Sequence, residues 1–198
     1  MKKTDIIFAL VTGEITAWFF YTLVKELNLN IPGLLVILAV GFPVLAVLGL
    51  WICWMLGKKY VWIWQMAKYL LIGVLATILD LGVLNGLILV SGVAVGITYS
   101  VFKGISFIVA TCCKYFADKF WAFEKKEKAG MGKEFLQFFF VTLIGLGLNV
   151  LIASFVVNKM EPQFGLSPAA WGTVGGVAAA FGVTAWNFVG YKFFVFKK

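Results

Sequence analysis

From Ile31 to Leu56 the chain carries no charged residue. A run of that length and character is what a helix needs to cross the hydrocarbon of a bilayer. Five more apolar runs follow the same plan: Ile6 to Leu23, then about Ala67 to Val90, Val95 to Phe116, Phe135 to Val157 and Ala169 to Val189. The chain is 62% hydrophobic and 13% charged, with a mean hydropathy of +0.98, whereas a soluble domain carries about 25% charged residues. The expected fold is therefore all-α: a polytopic membrane helical bundle of about six transmembrane helices embedded in the lipid bilayer.

All 17 basic residues are lysines, and there is neither histidine nor arginine. Histidine metal sites, histidine acid-base chemistry and bidentate arginine clamps are excluded. The net charge of +8 has no polar domain to gather on, so nucleic acid is not an expected partner; lysine-rich loops against an anionic leaflet are. Cys53, Cys112 and Cys113 lie in or near apolar runs without metal-site spacing and read as small buried hydrophobes. No nucleotide-binding loop is present, and no cofactor or enzymatic activity is expected.

The connections set the orientation. Lysines gather at the N-terminus, at Lys58 and Lys59, from Lys125 to Lys133, and at Lys192, Lys197 and Lys198, while the alternate loops hold only Lys25 and Lys159. By the positive-inside rule both termini are cytoplasmic. Lys25 to Asn30 reads as a polar link, and Tyr60 to Gln65, YVWIWQ, as an aromatic interfacial anchor before the third span. Pro43 marks a kink in the second span. The N-terminal run, which contains Glu14, reads as a retained helix and not a signal peptide. Gly172, Gly175, Gly176 and Gly182 in the last span predict a helix packed tightly inside the bundle.

Two basic, aromatic tails, KYFADKFWAFEKK and NFVGYKFFVFKK, echo each other. Setting Lys114 against Asn187 aligns Thr111 with Thr184, Tyr115 with Phe188, Lys119 with Lys192, Phe120 with Phe193, Trp121 with Phe194 and Phe123 with Phe196. Each tail follows an apolar run of spanning length, which predicts a parallel repeat of a two-helix unit.

Charges inside the runs are the candidate site. Asp80 and Lys103 both lie about 18 Å from the cytoplasmic side by helical rise, so on consecutive antiparallel helices they should pair. Such a pair can simply fix helix packing, or Lys103 can face a groove and attract an anionic headgroup while Asp80 holds it or binds sugar hydroxyls. In the second repeat Asn149 and Gly176 take the corresponding places, so the site is asymmetric. Glu14 either lines the same cavity or is a protonated residue in a marginal helix. Lys114 and Asp118 share a helix face. Lys119 and Lys192 either snorkel to contact phosphate or belong to an ordinary aromatic belt.

The segment KYLLIGVLATILDLGVLNGL with Asp80, the helix running into KYFADKFWAF, the short charged loop and the closing NFVGYKFFVF resemble the GtrA-like membrane proteins over about Gln65 to Lys198. The resemblance implies four helices with both termini inside, and translocation of a polyprenyl-phosphate-linked sugar across the cytoplasmic membrane to a membrane glycosyltransferase for cell-surface polysaccharide. It carries the aspartate position onto Asp80 and the aromatic-basic signature onto Lys119 to Phe123 and Lys192 to Phe196. Lys114 stands where the family commonly has asparagine, whereas Asn187 keeps it. Residues 1–60 then form an extension of two helices before a four-helix domain at 61–198. An accessory subunit of the glycosyltransferase and a small-solute transporter are the rival readings, and a homo-oligomer is open.

Overall fold

The computed structural model describes residues 1–26, 32–93, 95–160, 162–163, 165 and 168–197. Of the link expected from Lys25 to Asn30, residues 27–30 lie outside the described residues, as does the terminal Lys198. All regular structure among the described residues is helical: α1 (Lys3–Glu26), α2 (Leu34–Gly57), α3 (Val61–Ser91), α4 (Gly96–Ala117), α5 (Met131–Lys159) and α6 (Pro168–Gly190), with π-helical turns at Asp118–Ala122 and Tyr191–Val195. Six helices are long and apolar enough to cross a membrane. The aromatic segment expected as an interfacial anchor is helical from Val61 onward and continuous with α3, because nothing between Tyr60 and Ala67 breaks the turn.

The chain divides into two compact units, Met1–Glu124 and Lys125–Lys198. In the first, α1 packs on α2 and both pack on α3, which pairs with α4. Buried Asp5, Ala9, Thr12 and Ala17 make one stripe along α1, the spacing of a single helix face. Three threonines of α1 are satisfied locally. Thr12, Thr16 and Thr22 hydroxyls donate to the carbonyls of Phe8, Thr12 and Phe19 at 2.7, 2.7 and 2.8 Å, so none of these three hydroxyl protons is left bare in lipid.

At Gly13 the α1 backbone meets α2 directly. A Cβ there would lie 2.6 Å from Pro43 N and 2.9 Å from the Phe42 carbonyl carbon, and backbone atoms cannot swing aside. Gly13→Ala should therefore part the two helices and lower stability by about 1–3 kcal/mol, the usual cost of overpacking. Thermal unfolding of the detergent-solubilised protein checks this. α3 stops at Gly92, whose left-handed backbone (φ 70°) lets its N–H reach the Ile88 carbonyl at 2.8 Å.

In the second unit α6 begins on Pro168, the helix position that needs no amide donor. Gly175 and Gly182 face α5, where added Cβ atoms would lie 2.7 Å from Val157 Cγ2 and 2.5 Å from Ile152 Cδ1. The small residues thus seat α6 against α5. Phe181 and Val177 on its other face are 74% and 51% exposed, so the tight packing expected of the helix runs along one stripe. Trp186 Nε1 donates to the Val141 carbonyl at 3.1 Å, and the Tyr191 and Thr142 hydroxyls share a hydrogen bond of 2.6 Å.

The two π-helical turns begin at Asp118 and Tyr191, 73 positions apart. Each closes with a phenylalanine amide reaching back five residues, Phe123 to Asp118 O at 2.9 Å and Phe196 to Tyr191 O at 2.7 Å. Their spacing is the offset at which the two aromatic-basic tails align.

Candidate functional site

About two thirds of the way along α3 and one third of the way along α4, Asp80 and Lys103 form the expected ion pair. Ser106, one turn after Lys103 and fully buried, donates its hydroxyl to the other Asp80 oxygen at 2.6 Å. Both carboxylate oxygens are therefore engaged, which anchors the acid. The acid is 18% exposed but the Lys103 side chain 42%. A cation held at mid-span with an open side can meet an anion while Asp80 and Ser106 keep it in place. Ser106 escaped notice in the sequence; its only signal was the i+3 spacing from Lys103.

Further along α4, Lys114 pairs with Asp118 and lies 4.1 Å over the Tyr69 ring. Lys114 is also the one charged group among the residues around a cavity of about 160 Å³, whose other walls include Phe8 of α1, Ile72, Ala76 and Leu79 of α3 and Cys113 of α4. Asp118 is fully buried and its Oδ1 accepts no hydrogen bond. Lys103 and Lys114 are separated by about 16 Å of helix rise, so two lysine–aspartate pairs mark one side of α4 with an apolar hollow beside the second.

The remaining predicted residues disperse. Lys119 is 0% exposed, its Nζ 5.9 and 5.8 Å from the Tyr115 and Phe120 rings; snorkelling, one of its two readings, does not occur, because the residue lies in the π-helical turn and is turned inward. Lys192 is half-buried, 5.8 and 5.5 Å from the Phe188 and Phe193 rings. Asn187 packs its amide against Gly145, with Oδ1 buried and without a hydrogen-bond donor. Asn149 is half-exposed on α5. Glu14 is exposed, and no hydrogen bond or ion pair joins it to Asp80 or Lys103. Position 14 falls on the face of α1 opposite the buried stripe, so it does not line a common cavity with that pair.

One cluster was not foreseen. Lys68, 1% exposed, bonds Asp5 Oδ1 at 3.3 Å, Glu124 Oε1 at 3.1 Å and the Trp121 carbonyl at 3.2 Å, and lies 4.6 Å over the Trp64 ring. Asp5 in turn accepts from Trp121 Nε1 at 2.9 Å and from the Lys2 amide at 2.7 Å, while Phe8 stacks on Trp121 at 4.4 Å. Glu124 turns the chain with a left-handed backbone, φ 51°, an uncommon conformation for a residue with a side chain. Partial burial alone would raise its pKa, but the hydrogen bond and charge of Lys68, with help from Lys2, hold it below the usual glutamate value. This network ties the start of α1 to the start of α3 and the end of α4.

No curated protein and no solved structure matches the chain. Residues 68–196 match the family described as GtrA/DPMS, transmembrane domain. The match starts on Lys68 itself and takes in Asp80, Lys103, Ser106, the Lys114–Asp118 pair and both π-helical turns, leaving α1 and α2 outside it. With about two thirds of its length covered, the chain belongs to the GtrA/DPMS transmembrane domain family.

Proposed function

We propose that this multi-pass protein moves a polyprenyl-phosphate-linked monosaccharide across the cytoplasmic membrane for use in cell-surface polysaccharide glycosylation. The family domain points to a membrane protein of polyprenyl-phosphate sugar pathways, and such a cargo has a particular physical difficulty. Its phosphate and sugar need a polar route through hydrocarbon, whereas the prenyl tail can stay in lipid. The observation that carries the reading is Lys103, a mid-span cation still 42% exposed and steadied from behind by Asp80 and Ser106. The phosphate meets Lys103, and the Lys114 end of α4 serves the passage between that charge and the membrane surface. In this reading both termini lie in the cytoplasm, which the lysine-rich connections support. The protein acts without catalysis, moving cargo down a gradient kept by a membrane glycosyltransferase that consumes it on the far side.

The test is reconstitution in vesicles containing a fluorescent polyprenyl-phosphate sugar, with an impermeant quencher reporting the outer leaflet. Wild-type protein should expose the inner pool to quenching, and Lys103→Ala should slow that phase about 10-fold or more, the equivalent of one lost charge-assisted hydrogen bond. Equal rates in the variant and wild type, both well folded, would sink the role of Lys103. No quenching beyond protein-free vesicles would favour an accessory subunit of the glycosyltransferase.

A further inference from the structure

Among the described residues, five acidic side chains lie within the membrane spans: Asp5, Glu14, Asp80, Asp118 and Glu134. Four have lysine partners: Asp5 pairs with Lys68, Asp80 with Lys103, Asp118 with Lys114, and Glu134 with Lys125. Glu14 is the exception, making neither an ion pair nor a hydrogen bond. It lies about 16 Å beyond Lys3 and about 12 Å before Thr22 by helical rise, near the middle of the span Lys3–Thr22. Its neighbours on the same face are apolar and exposed: Ile7 58%, Val11 46% and Trp18 59%. Helix neighbours offer no relief, since the hydroxyls of Thr12 and Thr16, two residues to either side, donate to the Phe8 and Thr12 carbonyls.

A carboxylate facing hydrocarbon is costly, and such residues in membrane proteins pair with an opposite charge. We propose that Glu14 is the docking charge for a transmembrane helix of another protein that carries a lysine or arginine near its middle. A second copy of this chain is the poorer fit. At that depth its lysine is Lys103, already bound to Asp80; Lys68 and Lys114 are likewise committed, and a two-fold contact through α1 would set Glu14 against Glu14. Charge complementarity therefore calls for a basic partner helix, seated on the apolar face that Ile7, Val11 and Trp18 continue. The inference is independent of which cargo Lys103 meets.

The probe is a synthetic leucine-alanine transmembrane helix with one central lysine, compared with the same helix carrying leucine there. Energy transfer from the labelled full-length protein in liposomes reads association. The lysine helix should associate at about 10-fold lower peptide-to-lipid ratio than its leucine counterpart, as expected of one polar contact in lipid. Glu14→Gln should erase that difference, Glu14→Asp should keep it, and Glu14→Lys should transfer it to a helix with a central glutamate. Unchanged thermal unfolding is expected for Glu14→Gln, because the side chain touches nothing that holds the fold. Equal association of the lysine and leucine helices with the wild-type protein would overturn the proposal. So would Glu14-dependent energy transfer between two differently labelled copies of the chain, which would assign the face to self-association.

Discussion

Lys68→Met should destabilise the protein strongly. Removing the lysine leaves Asp5, itself 1% exposed, as a buried carboxylate with no cation, and takes from Glu124 its closer partner. Breaking a buried pair from one side typically costs about 3–5 kcal/mol, enough to erase a large part of a membrane domain's stability. The expected readout is a strong fall in the apparent melting temperature of the detergent-solubilised protein, with loss of the monodisperse peak on size exclusion. Adding Asp5→Asn to Lys68→Met should recover most of the loss, since the amide oxygen still accepts from Trp121 Nε1 and no buried charge remains. A double variant as unstable as the single one would mean that packing of the lysine stem between Trp64 and Trp121, not its charge, holds the cluster together.

The second large effect is expected at Asp80 and Lys103, where fold and transport should separate. Asp80→Lys alone and Lys103→Asp alone each put two like charges at mid-span and should both unfold the α3–α4 pair and abolish flipping. Combined, the exchanged residues restore an ion pair at the same depth, and Ser106 can accept from a lysine as readily as it donates to a carboxylate. The melting temperature should return close to that of the wild type. Transport should not, because the cation would then project from the 18% exposed position on α3 while the open position on α4 carried the acid. Full recovery of both would make the pair a packing device and remove the basis for a phosphate contact at Lys103.

The sequence made the six spans legible because uncharged runs of spanning length admit few other structures, and α2 is the plainest case. The Asp80–Lys103 pair was legible for a different reason: helical rise converts sequence position into depth, and matched depth on adjacent antiparallel helices leaves little choice of partner. Depth alone misled at Glu14, where the phase of α1 decides, turning position 14 away from the stripe of Ala9, Thr12 and Ala17. The Lys68 network was opaque for a third reason. Lys68 reads as an ordinary interfacial lysine and Asp5 as part of a charged terminus, and only the π-helical turn brings Trp121 to Asp5. Nothing in a regular 3.6-residue period foretells that turn, and the same irregularity hid the burial of Lys119. Family likeness was readable in the aromatic-basic tails, whereas Ser106, a lone hydroxyl in an apolar helix, had nothing to distinguish it.

The π-helical turn at Asp118–Ala122 also limits how the gene for such a protein can change length. A turn of this kind holds about one residue more than an α-helical turn, and losing a single codon between Lys114 and the turn, with the turn kept, would rotate everything downstream by about 100°. Trp121 would swing away from Asp5, and Glu124 would leave Lys68 as it did so. Insertions and deletions have freer ground a few residues later, between Lys126 and Gly130, where the chain is largely exposed and outside any helix. Lys114 and Glu124 are thus held at a fixed count by geometry rather than by the chemistry of any one side chain between them.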